Sequence, residues 1–125
     1  MKEFLKAVNL LAMKCVVKVL KVDLNDGNYR MIYIDKGEYK SKSKKLDDWI
    51  EENCLKELIH PDYSEAFKNI FRFENMKNSL KHRKYLHFKY KRASNIDYNY
   101  RTSVMTALPV EGNKCYLIIY DIEDC

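Results

Sequence analysis

The sequence predicts an α+β fold in which one five-stranded antiparallel sheet carries short helices on one of its faces. Three observations lead there. Two strand-like segments near the start, "KCVVKVLKVD" and "YRMIYI", flank the turn signal Asp26-Gly27; the middle third has helical spacing; the last third returns to strand periodicity in three further segments. Hairpin-linked groups of strands on either side of a helical block favour a single sheet with its helices gathered on one side.

The elements follow in order. In "MKEFLKAVNLLA", Phe4, Val8 and Leu11 recur at helical spacing while Lys2, Glu3, Lys6 and Asn9 fall largely elsewhere. This predicts a short amphipathic helix over 1–13, whose apolar stripe is the candidate dimer interface. The valine-rich strand and "YRMIYI" are joined at Asp26-Gly27, a pair suited to the positive φ values of a type I′ turn. Lys36, Lys40, Lys42, Lys44 and Lys45 then cluster among Gly37, Ser41 and Ser43, the composition of a solvated loop.

"LDDWIEENCLKELI" places Leu46, Trp49, Ile50 and Cys54 on one side of a helix, with Asp47 and Asp48 near the positive end of its dipole. In "IHPDYSEAFKNIF", Tyr63, Phe67, Ile70 and Phe71 share a helix face. Pro61 suits the first helical position, and His60, pushed to an extended conformation by the proline, belongs to the helix start. "ENMKNSLKH" pairs Met76 with Leu80 one turn apart. The strands "KYLHFKYKR", "YNYRTSVMTAL" and "KCYLIIYDI" complete the chain, with turns at "ASNID" and "PVEGN".

The chain has 125 residues, 46% of them hydrophobic, which suits one domain with one core. No apolar run reaches membrane-spanning length, since Lys14, Lys18 and Lys21 break the most apolar stretch, and the expected location is the cytoplasm. Cys15, Cys54, Cys115 and Cys125 are far apart and form no C-x-x-C pair, so four free thiols are expected rather than a zinc site or a disulfide framework. A net charge of +5 permits an acidic partner without specifying one.

The order of elements resembles that of a PAS domain, and several motifs strengthen the likeness. His60-Pro61-Asp62 followed by Phe67 is similar to the segment opening the long helix of many bacterial PAS domains. "FKYKR" followed by "YNYRTSV" resembles their adjacent strand pair, and "YLIIYDIED" resembles the final strand with its Asp-Ile motif. Two departures are the Ser94-Asn95-Ile96-Asp97 turn, where an Asp-Gly is usual, and Thr102, where tryptophan is frequent. The resemblance covers roughly residues 14–124 and is greatest to PAS domains that precede diguanylate cyclase (GGDEF) domains.

It implies an N-terminal helix over 1–13 and a sensor domain over 14–125, acting as a homodimer. A covalently linked output domain would receive the signal through Asp121 and Ile122. A cavity between sheet and helices would be lined by Tyr33, Phe88, Tyr90, Tyr100, Thr102, Leu117 and Ile119, with an unidentified small molecule as its ligand. The same side chains equally suit a filled core, in a PAS module that docks a partner without any ligand. Which face of the strand over 98–107 points inward is left open by the pattern.

No catalytic or metal-ligating constellation appears. His82 and His87 do not share a face, and a lone His60 is weak as a metal ligand. Haem is disfavoured because no histidine lies within the long helix, and flavin because "ENCLKE" departs from the light-sensing segment of the relatives. With three glycines the chain lacks a phosphate-cradling loop, and no enzymatic activity is expected. Nucleic acid is a disfavoured partner; an RNA-binding surface would require tyrosines exposed on an outer sheet face beside the lysines.

Overall fold

The computed structural model describes residues 15–94 and 99–122. The expected helix over 1–13, with Phe4, Val8 and Leu11, and the turn at 95–98 lie outside the described residues. The elements are β1 (Val16–Asp23), β2 (Tyr29–Ile34), α1 (Leu46–Leu55), α2 (Pro61–Phe71), α3 (Phe73–Leu80), β3 (Leu86–Arg92), β4 (Arg101–Val110) and β5 (Lys114–Asp121). The strands form one open antiparallel sheet in the order β2-β1-β5-β4-β3, and the three helices among the described residues sit in the crossover between β2 and β3.

Strand parity sorts the two faces. Leu20, Met105, Ala107, Leu117 and Ile119 face the helices and pack with Trp49, Ile50, Phe67, Phe71 and Met76. A smaller cluster of Val16, Val19, Tyr116 and Ile118 occupies the opposite face. The central strands β1 and β5 are therefore apolar on both sides, which is why their sequences read as runs rather than alternations. The parity of β4 is also fixed: Ser103, Met105 and Ala107 point to the helices, and Val104 and Thr106 point away.

Two turns differ from expectation for physical reasons. Gly27 has φ +80, but Asp26 is not among the positive-φ residues, so the β1–β2 connection is not a type I′ turn. It is a wider loop in which Gly27 N–H donates to Asp23 O at 2.9 Å and Asp23 N–H to Asn28 O at 2.8 Å. Glycine is required here twice over, since a Cβ would also stand 3.1 Å from the Phe73 ring. At the other end, β4 continues through Pro109 to Val110, where the sequence suggested a turn. Pro109 pairs with Cys115 on β5, whereas β3 pairing ends at Leu86 and Ala107. The missing proline N–H thus faces no strand.

The outer edge of β3 is partly covered. His60 N–H donates to Lys91 O at 3.0 Å and Ala93 N–H to Leu58 O at 2.8 Å, so the α1–α2 connection adds a short extended piece beside the end of β3. His60 then caps α2: it is extended (φ −55, ψ 134), Pro61 follows, and its Nδ1 accepts from Asp62 N–H at 3.0 Å. The imidazole must carry its proton on Nε2 to do so. His60→Ala is expected to cost about 1 kcal/mol and His60→Asn much less, as read from urea unfolding midpoints.

The cysteines divide differently from expectation. Cys54 and Cys115 are free, with the buried Cys115 thiol pushed up to about 12 by desolvation, whereas Cys15 is disulfide-bonded. Wide sequence spacing therefore did not exclude a cross-link at Cys15. Among the described residues no helix is long and apolar enough to cross a membrane.

Candidate functional site

The most unusual chemistry of the fold lies on the inner face where β1 begins and β3 and β5 end. Lys18 lies opposite Ile119 and continues the inward parity of Leu20 and Val22, so its side chain faces the helices; the register shifts only beyond it, between Val16 and Lys18. Its ammonium lies 5.7 Å from the centroid of the Trp49 ring. On β3 the inward series Leu86, Phe88, Tyr90 ends in Arg92, and on β5 the series Cys115, Leu117, Ile119 ends in Asp121. Ser103 of β4 is paired with Asp121.

Arg92 joins these ends. Its Nε donates to Asp121 Oδ1 at 3.0 Å and its Nη2 to Asp121 Oδ2 at 3.2 Å. Nη1 and Nη2 also donate to Glu38 Oε1 and Oε2 at 2.7 and 3.1 Å. Glu38 comes from the β2–α1 connection, so one guanidinium clamps a loop and the last strand in two bidentate pairs. Ser103 Oγ donates to Asp121 Oδ1, and Arg101 Nη1 stands 3.8 Å from Asp121 Oδ2. Arg92 and Asp121 are buried. Burial alone would lower the Arg92 pKa, but its hydrogen bonds to Glu38 and the facing carboxylates outweigh this and hold the charge firmly.

Lys18 is the weakly held member. Its Nζ is 3.9 Å from Glu38 Oε1, and burial brings its pKa down to about 8 despite the attraction of Glu38. Beside it, Trp49 Nε1 is buried without an acceptor, a loss that typically costs about 1–3 kcal/mol. Both side chains line a cavity of about 10 Å³, shared with Asn53, Leu58, Ile59, Tyr90, Arg92, Ala93 and Ile119. That is room for about one water-sized occupant. Burial also raises the Tyr90 hydroxyl above its ordinary pKa.

The loop carrying Glu38 is tethered, not simply solvated. Tyr39 OH donates to Glu52 Oε1 at 2.6 Å, Ser41 Oγ to Glu52 Oε2 at 2.8 Å, and Ser43 Oγ lies 2.7 Å from Ser41 Oγ. The loop lysines themselves remain exposed.

The sequence-predicted pocket residues separate into four groups. Tyr90 and Ile119 line the cavity, while Phe88 and Leu117 belong to the core around it. Phe67 packs between Phe88 and Tyr90, with ring centroids 6.3 and 5.0 Å away. Tyr100 is exposed, its ring 4.6 Å from that of His60 and its hydroxyl donating to Glu57 O at 2.6 Å. Tyr33 and Thr102 stand on the other face: Tyr33 pairs with Val19, and Thr102 Oγ1 accepts from Lys91 Nζ at 2.6 Å. Ile122 is exposed beyond the buried Asp121.

Larger depressions exist elsewhere, one of about 690 Å³ bordered by Asn69, Arg83, Lys84 and Tyr85, and one of about 360 Å³ beside Lys21, Asp23 and Arg30. None of the sequence-predicted pocket residues borders either. Among the described residues no three His, Cys, Asp or Glu side chains gather as a metal site would require.

Fold and site together define an α+β domain with an open five-stranded antiparallel sheet and a buried ion cluster joining its last strand to a loop. No protein-family model matches the chain, and no curated protein matches it.

Proposed function

We propose that the chain is a PAS-type regulatory module of a bacterial cytoplasmic signalling protein, controlling a C-terminal diguanylate cyclase. The sheet order β2-β1-β5-β4-β3, with every described helix in the β2–β3 crossover, supports that reading. The observation that carries it is the Arg92 clamp: Asp121 ends the last strand, where an output connection would leave, and is held to the same guanidinium as Glu38 of the loop. A ligand or a change in dimer packing that favours one arrangement of the loop would then favour one arrangement of Asp121 and Ile122.

The inner aromatic residues of β3 are covered by Phe67 and Tyr63, which is the arrangement opposite to that of an exposed RNA-stacking sheet. The small cavity favours a second reading, a docking module that works through partner or dimer contacts alone. The disulfide at Cys15 weighs against the cytoplasmic part of the proposal, because reducing compartments keep most thiols free.

The test places the whole chain ahead of a diguanylate cyclase catalytic domain and compares cyclic di-GMP formation for the native chain and Asp121→Asn. A several-fold difference between folded fusions is expected. Equal rates, with both fusions monomeric in sedimentation, would remove the regulatory reading.

A further inference from the structure

β3 stands at one end of the sheet, and only the last part of its free edge is covered. Its register with β4 runs from Leu86 opposite Ala107 to Arg92 opposite Arg101 without a shift, so its backbone groups alternate strictly between the two edges. Lys91 O and Ala93 N–H point away from β4, since they meet His60 N–H and Leu58 O. By the same alternation the N–H and C=O of His87 and Lys89 also point away from β4, and among the described residues they have no partner. Four strong hydrogen-bonding groups thus stand in a row, continuing the line that residues 58–60 begin.

The side chains along this edge select what lies beside it. Arg83, Lys84 and Lys89 are exposed and form no ion pair with any described carboxylate. A depression of about 690 Å³ opens where β3 begins, between Ile70 of α2 and Arg83, Lys84 and His87, and no carboxylate borders it. His87 and Lys89 project from the outer face of the sheet, whereas Leu86 and Phe88 turn toward the helices and pack with the core that Ile70 adjoins. A strand added here therefore meets cations with every second side chain and apolar groups with those between. Edge lysines turn away a second copy of this chain, whose own net charge is +5.

We propose that the free edge of β3 takes an extended peptide alternating acidic and apolar residues, added to the sheet beside His87 and Lys89. Its backbone completes the four open hydrogen bonds, and its carboxylates meet Arg83, Lys84 and Lys89. Its apolar side chains reach the Ile70 and Leu86 side. This partner strand is independent of the regulatory reading, because its binding requires no output domain.

The probe is a synthetic heptapeptide alternating glutamate and valine, and the measurement is amide hydrogen exchange in the ¹⁵N-labelled whole chain. Saturating peptide is expected to slow exchange at the His87 and Lys89 amides at least tenfold. The same peptide N-methylated at every residue keeps its charge but loses its donors, and is expected to give no protection. Arg83→Glu combined with Lys84→Glu should weaken binding at least tenfold, and Lys89→Pro, which removes an edge N–H that β4 does not use, should do the same. Unchanged exchange overturns the proposal. Protection reproduced by the methylated peptide, or given equally by oligouridylate, means attraction of any polyanion and also overturns it. Should Lys89→Pro fail to fold, the exposed Arg83 and Lys84 replacements decide: undiminished binding in that variant removes the charge basis of the site.

Discussion

Arg92→Met is expected to destabilise the fold by roughly 3–5 kcal/mol at pH 7, among the largest effects of any single replacement in this chain. The side chain is of similar length, so the loss is electrostatic in origin. Two carboxylates, Glu38 and Asp121, would lose four charge-assisted hydrogen bonds while staying buried. Urea unfolding at pH 7 followed by Trp49 fluorescence measures it. Adding Asp121→Asn should return part of the loss, because it removes one of the two unpaired buried charges; a double variant no more stable than Arg92→Met would contradict this origin.

Phe67→Ala is expected to cost about 3–5 kcal/mol by a different route, the loss of apolar contact together with the cavity left behind. Phe67 is fully buried, with ring centroids 5.0 Å from both Phe71 and Tyr90, so it joins α2 to β3 at the centre of the aromatic cluster. Phe67→Leu should recover a substantial share because it leaves a smaller void. Leu55→Ala is the control: at 80% exposure it should change stability by less than about 0.5 kcal/mol. A similar loss in both alanine variants would mean that Phe67 does not hold the core as described.

Much of the architecture was legible because local pattern and tertiary demand agree. Pro61 with the spacing of Tyr63, Phe67, Ile70 and Phe71 defines α2, and that helix begins at the proline with His60 as its cap. The parity of β4 was not legible, because Tyr98, Tyr100 and Thr102 offered as plausible an inward series as Ser103 and Met105. Pairing of Ser103 with the buried Asp121 decides it. Part of the ion cluster left a readable trace: extending the inward parity of β3 and β5 by one step reaches Arg92 and Asp121, charged residues at buried positions. Lys18, within a run of valines, is a similar signal. Glu38 left none, since it lies in a lysine-rich loop and meets Arg92 across 54 positions of sequence.

The adjacency of β1 and β5 also constrains how the protein is made. Val16 lies opposite Tyr120 and Asp23 opposite Lys114, so the sheet is closed down its middle by its first and last strands. On the ribosome, the β1–β2 hairpin and the β3–β4 pair emerge with no strand to join them, and both expose the backbone edges that β5 later occupies. The central pairing forms only after residue 121 has cleared the exit tunnel. A nascent chain arrested before Lys114 would therefore hold two unconnected half-sheets, vulnerable to association with other chains and to proteolysis, however favourable the finished fold.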